Sequence, residues 1–70
     1  MLREPVSSSN INSVGYNSIQ MVLEIEFHSG GVYQYFAVPG GVYHNLMNAS
    51  SHGKYFHAHI RNQYRFSRVA

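Results

Sequence analysis

Lys54, Arg61, Arg65 and Arg68 carry all the fixed positive charge beyond residue 26, and no carboxylate stands among them. Cations uninterrupted by acids can follow a phosphate backbone, each releasing condensed counterions. The first 26 residues have the opposite balance, Arg3 against Glu4, Glu24 and Glu26, so a −2 segment precedes a +4 segment in a chain of net charge +2. All five histidines, His28, His44, His52, His57 and His59, lie in the basic part, whose charge therefore grows as the pH falls toward about 6. A helix from about His52 to Tyr64 would align Lys54, Arg61 and Arg65 with Ala58 on one face, with His57 adjacent and Arg68 beyond. A merely solvated helix face would have the same pattern, and only binding separates the two. Tyr33 and Tyr35, two apart on a strand, share a face. They could stack on unpaired bases or form half the core of a small domain.

Other chemistries are poorly supplied. His57-x-His59 looks like a metal pair, but residues two apart on a helix do not share a face and the chain has no cysteine, so no metal site is expected. His59 is expected to flank the core with one ring nitrogen satisfied. Without Asp or Cys, neither a Ser-His-Asp nor a Cys-His arrangement can be built, and Glu24 and Glu26 read as the solubilising face of a strand. Gly30-Gly31 and Gly40-Gly41 lack the spacing and the following Lys-Ser/Thr of phosphate loops. The expectation is a non-enzymatic module that needs no cofactor.

Elements to position these residues follow from periodicity. Residues 1–9, with Pro5 and Ser7-Ser-Ser9, read as a flexible arm before a single domain over 10–70. Ile11, Val14 and Tyr16 predict a first strand with a bulge at Gly15, because residues three apart cannot share the face of a regular strand. Met21, Leu23, Ile25 and Phe27 alternate with polar residues and predict a second strand with one buried face. At the turn that follows, one residue of slip decides which face the tyrosines occupy. A two-residue turn on Ser29-Gly30 would pair Phe27 with Val32 and turn Tyr33 and Tyr35 outward. A three-residue loop with Gly31 left-handed would pair Phe27 with Tyr33 and Ile25 with Tyr35, turning both inward. The inward register is favoured because the other would bury Gln34. Val42, Tyr43, Leu46 and Met47 recur at helical spacing and predict a helix over about 39–49, opened by Pro39. Ser50 or Ser51 would cap a second helix with Phe56, Ile60 and Tyr64 on its inner face. Residues 65–69 are compatible with a short closing strand. The expected fold is α+β, a three-stranded antiparallel meander packed against two C-terminal helices.

The run Phe27 to Pro39, with Gly15-Tyr16, Leu23-x-Ile25-x-Phe27, Ala49-Ser50, Gly53-x-Tyr55-Phe56 and Ile60-Arg61, resembles the KTSC domain, a small domain named for its place at the C terminus of some lysyl-tRNA synthetases. The resemblance spans about Ser8 to Tyr64. It implies no firmly assigned activity, RNA binding being the usual conjecture. The position after Gly15-Tyr16 is often acidic in such domains; here it is Asn17, which argues against a role needing negative charge there. The expected partner is RNA or another single-stranded nucleic acid, held by Lys54, His57, Arg61, Arg65 and Arg68 with Tyr33 and Tyr35. The alternative is a protein partner joined through a sheet edge or apolar patch. Met1-Leu-Arg-Glu-Pro offers no apolar run for a signal peptide, and nothing approaches the roughly 18 apolar residues of a membrane span, so the expected location is cytoplasmic.

Overall fold

Leu23 and Ile25 point to one side of their strand and Glu24 and Glu26 to the other, and the whole domain is arranged around that separation. The computed structural model describes all 70 residues as five strands and two helices: β1 (Glu4–Pro5), β2 (Ile11–Asn17), β3 (Val22–Phe27), β4 (Val32–Tyr35), α1 (Gly40–Asn48), α2 (His52–His59) and β5 (Phe66–Arg68). All strand pairs are antiparallel and the sheet order is that of the chain, so β1 and β5 form opposite edges. The fold is α+β as expected, with five strands where the sequence suggested three. Both additional strands are short edge strands: Glu4–Pro5 shows no periodicity, and Phe66–Arg68 lies in the segment compatible with a closing strand.

Ile11, Val14, Leu23, Ile25, Tyr35, Val38, Leu46, Phe56 and Ile60 form the core between the helices and the sheet. The strand irregularity sits at Asn12, between the pairs Ile11 with Phe27 and Ser13 with Glu26, rather than at Gly15. Gly15 meets a different constraint. A Cβ there would lie 2.5 Å from the Leu2 carbonyl oxygen, because residues 1–3 cross directly over it. Met21, expected in the alternation of β3, instead takes a left-handed φ of 56° in the preceding turn and is exposed. Asn17 builds that turn, its Oδ1 accepting from the Ile19 and Gln20 amides at 3.0 Å each.

Tyr33 and Tyr35 face the core side, but their partners are Ile25 and Leu23, two residues from the expected register. The cause is which glycine turns. Gly30, with φ 110°, takes the left-handed position; its amide donates to the Phe27 carbonyl and the Phe27 amide to that of Gly31, both at 2.9 Å, so the loop is His28-Ser29-Gly30. Gly31 lies against Tyr33, whose Cε1 would be 2.7 Å from a Cβ at that position.

Pro39, lacking an amide, sits at the N-cap of α1 as its fixed φ permits, and Ser51 caps α2 by accepting from the Lys54 amide at 3.2 Å. The second helix is shorter than expected and ends at His59. The Ile60 and Arg61 amides both donate to the Phe56 carbonyl, and Ile60 leaves helical geometry. Arg61-Asn62-Gln63 has no apolar side chain to hold another turn on the core, and the chain instead returns to lay Phe66–Arg68 along β4. Neither helix is long and apolar enough to cross a membrane.

The sheet's second face is held by polar contacts. The Arg3 guanidinium pairs with Glu24 and donates to Ser13 Oγ at 2.9 Å; Gln34 donates to Glu24 at 2.8 Å; Asn12 and Ser13 donate to Glu26 at 2.7 and 2.9 Å. Glu24 is thereby only 6% exposed. Burial alone would raise its pKa, but the hydrogen bonds from Gln34 and Arg3 and the Arg3 charge outweigh burial and hold it below the ordinary value. Residues 1–9 were expected to form a loose arm. Instead Glu4–Pro5 pair with β2, and Arg3 makes the chain's one ion pair.

Candidate nucleic-acid interface

β5 lies beyond the cover of the two helices, which leaves the β4–β5 end of the core-side face partly open. Five rings meet there in a closed circuit. Phe27 is edge-on to Tyr33 (centroids 5.7 Å apart), Tyr33 lies 6.0 Å from Phe66, Phe66 5.7 Å from Tyr35, Tyr35 5.5 Å from Phe56, and Phe56 5.3 Å from Phe27. The three pairs without Phe66 are edge-on, as ring quadrupoles favour, and the two with Phe66 are tilted. The circuit bounds a cavity of about 460 Å³, with Arg61 and Asn62 also on its wall. Phe66 is 57% exposed and Tyr33 half-buried, whereas Tyr35 is buried. Burial pushes the Tyr35 phenol up to about 12, helped by neighbouring Tyr33 and opposed by Arg61.

Two further hollows continue this cavity along α2. One of about 320 Å³ shares Phe27, Ser29, Phe56 and Arg61 with it and adds His28 and His57. The next, about 500 Å³, shares Ser9, Asn10 and His57 with the second and reaches Lys54. Together they form a groove whose floor changes from aromatic at β5 to polar at the start of α2. Along it Arg61 Nη1 donates to the His57 ring at 3.2 Å, and the Arg68 guanidinium lies 5.9 Å from the centre of the Tyr33 ring. Lys54, His57 and Arg61 have no carboxylate partner, since Glu24 and Glu26 occupy the opposite sheet face and Glu4 the opposite edge, whereas Arg68 Nε donates to the Ala70 backbone oxygen at 2.8 Å.

The seven residues expected at a binding site are thus sorted by the structure. Lys54, His57 and Arg61 line the groove, Tyr33 and Tyr35 its aromatic end, and Arg68 approaches from β5. Arg65 is set apart. It follows the end of α2, its carbonyl accepts from the Phe36 amide, and it borders none of the three hollows, so the expected helical stripe through Arg65 does not form. His59, expected beside the core, is exposed with its ring 4.5 Å from that of Tyr55. Phe27, Phe56 and Phe66 were not foreseen as part of the site. The alternation of Arg65-Phe-Ser-Arg carries the signal for Phe66, once that segment is paired with β4.

Comparison with known proteins agrees with this architecture. An uncharacterised protein of Stutzerimonas stutzeri is 41% identical over 70 residues, 99% of both chains. Lysine–tRNA ligase of Trichormus variabilis is 40% identical over 62 residues, 89% of this chain and 11% of the ligase. The crystal structure of a KTSC domain protein from Yersinia pestis superposes with a TM-score of 0.97 at 39% identity, covering 99% of this chain and 97% of that one. The sequence pattern of the KTSC domain matches residues 7–64, and the chain belongs to the KTSC domain family.

Proposed function

We propose that this domain is a non-enzymatic module that binds single-stranded RNA, or another single-stranded nucleic acid, along the groove from Lys54 to Phe66. The observation that carries the reading is the segregation of charge: Lys54, His57 and Arg61 border one aromatic-floored groove, Arg68 lies over the Tyr33 ring at its aromatic end, and the glutamates lie on the other face and edge of the sheet. Such a surface attracts a polyanion and offers rings to unpaired bases. The relatives named as lysine–tRNA ligases support it, since this domain corresponds to 11% of a protein whose name includes a tRNA.

A salt titration of binding to a single-stranded RNA oligomer tests the proposal. If Lys54, Arg61 and Arg68 each neutralise one phosphate, the log-log slope is near about −2, from roughly 0.7 per contact on single strands. The triple alanine variant loses that slope while keeping the circular dichroism spectrum of the parent, and Arg65→Ala changes it little. Parent affinity in a folded triple variant, or no binding at low salt, overturns the proposal. The second reading, a protein partner added along the free edge of β5, is favoured by the exposure of Phe66 and Val69 there. It predicts association that is insensitive to salt.

A further inference from the structure

The five-ring circuit has a feature that packing alone does not account for. Tyr35 lines the cavity and is 5% exposed, yet its hydroxyl takes part in none of the chain's side-chain hydrogen bonds, and its oxygen is open to solvent. Water can reach that oxygen, so it carries no cost of an unpaired buried group and is free to bond a guest. Tyr16, the comparable ring at the other end of the sheet, donates to the Val38 carbonyl at 2.6 Å. The cavity's volume, about 460 Å³, falls within the roughly 300–1,000 Å³ of small-ligand sites, and its walls combine rings with a few polar groups.

Charge limits the occupant. Aromatic enclosures elsewhere hold quaternary ammonium groups, but here Arg61 is on the wall and Arg68 lies over Tyr33, so a cationic guest would be repelled. An uncharged planar group flanked by anions suits both the rings and the two arginines, and an unpaired nucleotide is such a group. Resting on the proposed groove, we infer that this cavity is a base subsite that takes one unpaired nucleobase of a bound single strand, stacked against Phe66, hydrogen-bonded at its edge by the Tyr35 hydroxyl and flanked at its phosphates by Arg61 and Arg68. The subsite gives the groove a preference for single strands over duplex, since a paired base cannot enter it.

The test is a single-stranded RNA octamer with one 2-aminopurine, titrated with the full chain at fixed low salt. Binding is expected to quench the 2-aminopurine. Phe66→Ala is expected to abolish the quench and weaken binding roughly 5- to 150-fold, the range for one lost base stack. Phe66 is on the surface, so its loss leaves the core intact. Tyr35→Phe keeps the ring and breaks no hydrogen bond within the protein; it is expected to weaken binding about 2- to 10-fold, the range of one hydrogen bond. In both variants the salt slope stays that of the parent, and Tyr55→Phe, off the groove, changes nothing. Binding with the parental slope but without quenching, and with Phe66→Ala and Tyr35→Phe at parental affinity, overturns the base subsite and leaves the groove standing. Equal affinity for a blunt RNA duplex also overturns it, and no binding of either RNA removes both readings.

Discussion

Replacing Arg3 with alanine separates a paired N-terminal strand from a loose arm. Arg3 makes an ion pair with Glu24 and a hydrogen bond to Ser13, and Glu24 is only 6% exposed, so the substitution leaves a buried carboxylate supported by Gln34 alone. Hydrogen bonds to charged groups contribute roughly 1.5–3 kcal/mol, and the Arg3 side chain is 28% exposed, so water compensates part of the loss. A cost of about 2 kcal/mol is expected. In a domain this small, where a core supplies about 3–5 kcal/mol, that lowers Tm by about 8–16 °C. Urea denaturation at pH 7 reads the change directly, with m unchanged, and pairing the substitution with Glu24→Gln in a double-mutant cycle gives a coupling between about 0.5 and 3 kcal/mol. The pH dependence supplies an independent check. Because the folded-state pKa of Glu24 lies below its ordinary 4.5, its contribution is fully present above that value and is lost as the pH falls through the lowered pKa. The gap between parent and variant is therefore largest near neutrality and closes in acid. An Arg3→Ala variant within about 0.5 kcal/mol of the parent at pH 7, as for an ordinary surface change, would refute the reasoning.

Two further outcomes follow from packing. Ile25, fully buried between sheet and helices, should cost roughly 2–5 kcal/mol as Ile25→Ala, and a variant melting within a degree or two of the parent would contradict the assignment of β3. Gly15→Ala places a methyl 2.5 Å from the Leu2 carbonyl oxygen and should displace residues 1–3, seen as faster exchange of the Val6 amide, which donates to the Asn12 carbonyl beside β1, and a smaller effect of Arg3→Ala in that background; full protection of that amide in the variant would show that the arm accommodates the methyl.

Where one physical rule governs an element, the sequence displayed it. Leu23 and Ile25 announced their strand by alternation, Leu46 its helix by spacing, Ser51 its cap, and the shared face of Tyr33 and Tyr35 followed from their separation. What escaped depended on contacts between distant segments. Gly30 and Gly31 are equally able to turn, and it is Gly30 that takes the positive φ while Gly31 leads into β4 against the Tyr33 ring. Pro5 and the serines after it read as a loose terminus, because the partners of Arg3 lie 10 and 21 residues away. The same holds for the candidate site. Lys54, His57 and Arg61 are near in sequence and their grouping was visible, whereas Arg65 was misplaced by extending α2 one turn too far, and the ring circuit joins residues from three strands and a helix.

The return of the chain from α2 to β4 sets the order in which the domain can be completed. Strands β1 to β4 adjoin their sequence neighbours, but Tyr33 pairs with Arg68, 35 positions along the chain, across a segment that contains both helices. Loop closure of that length is met only after the helices have shortened the path between its ends. Strands β1 to β4, whose pairings are closer in sequence, can pair before Phe66 and Arg68 dock on β4. The groove is therefore the last part to mature. Its aromatic end, completed by Phe66, is the one part of the fold that waits on both helices.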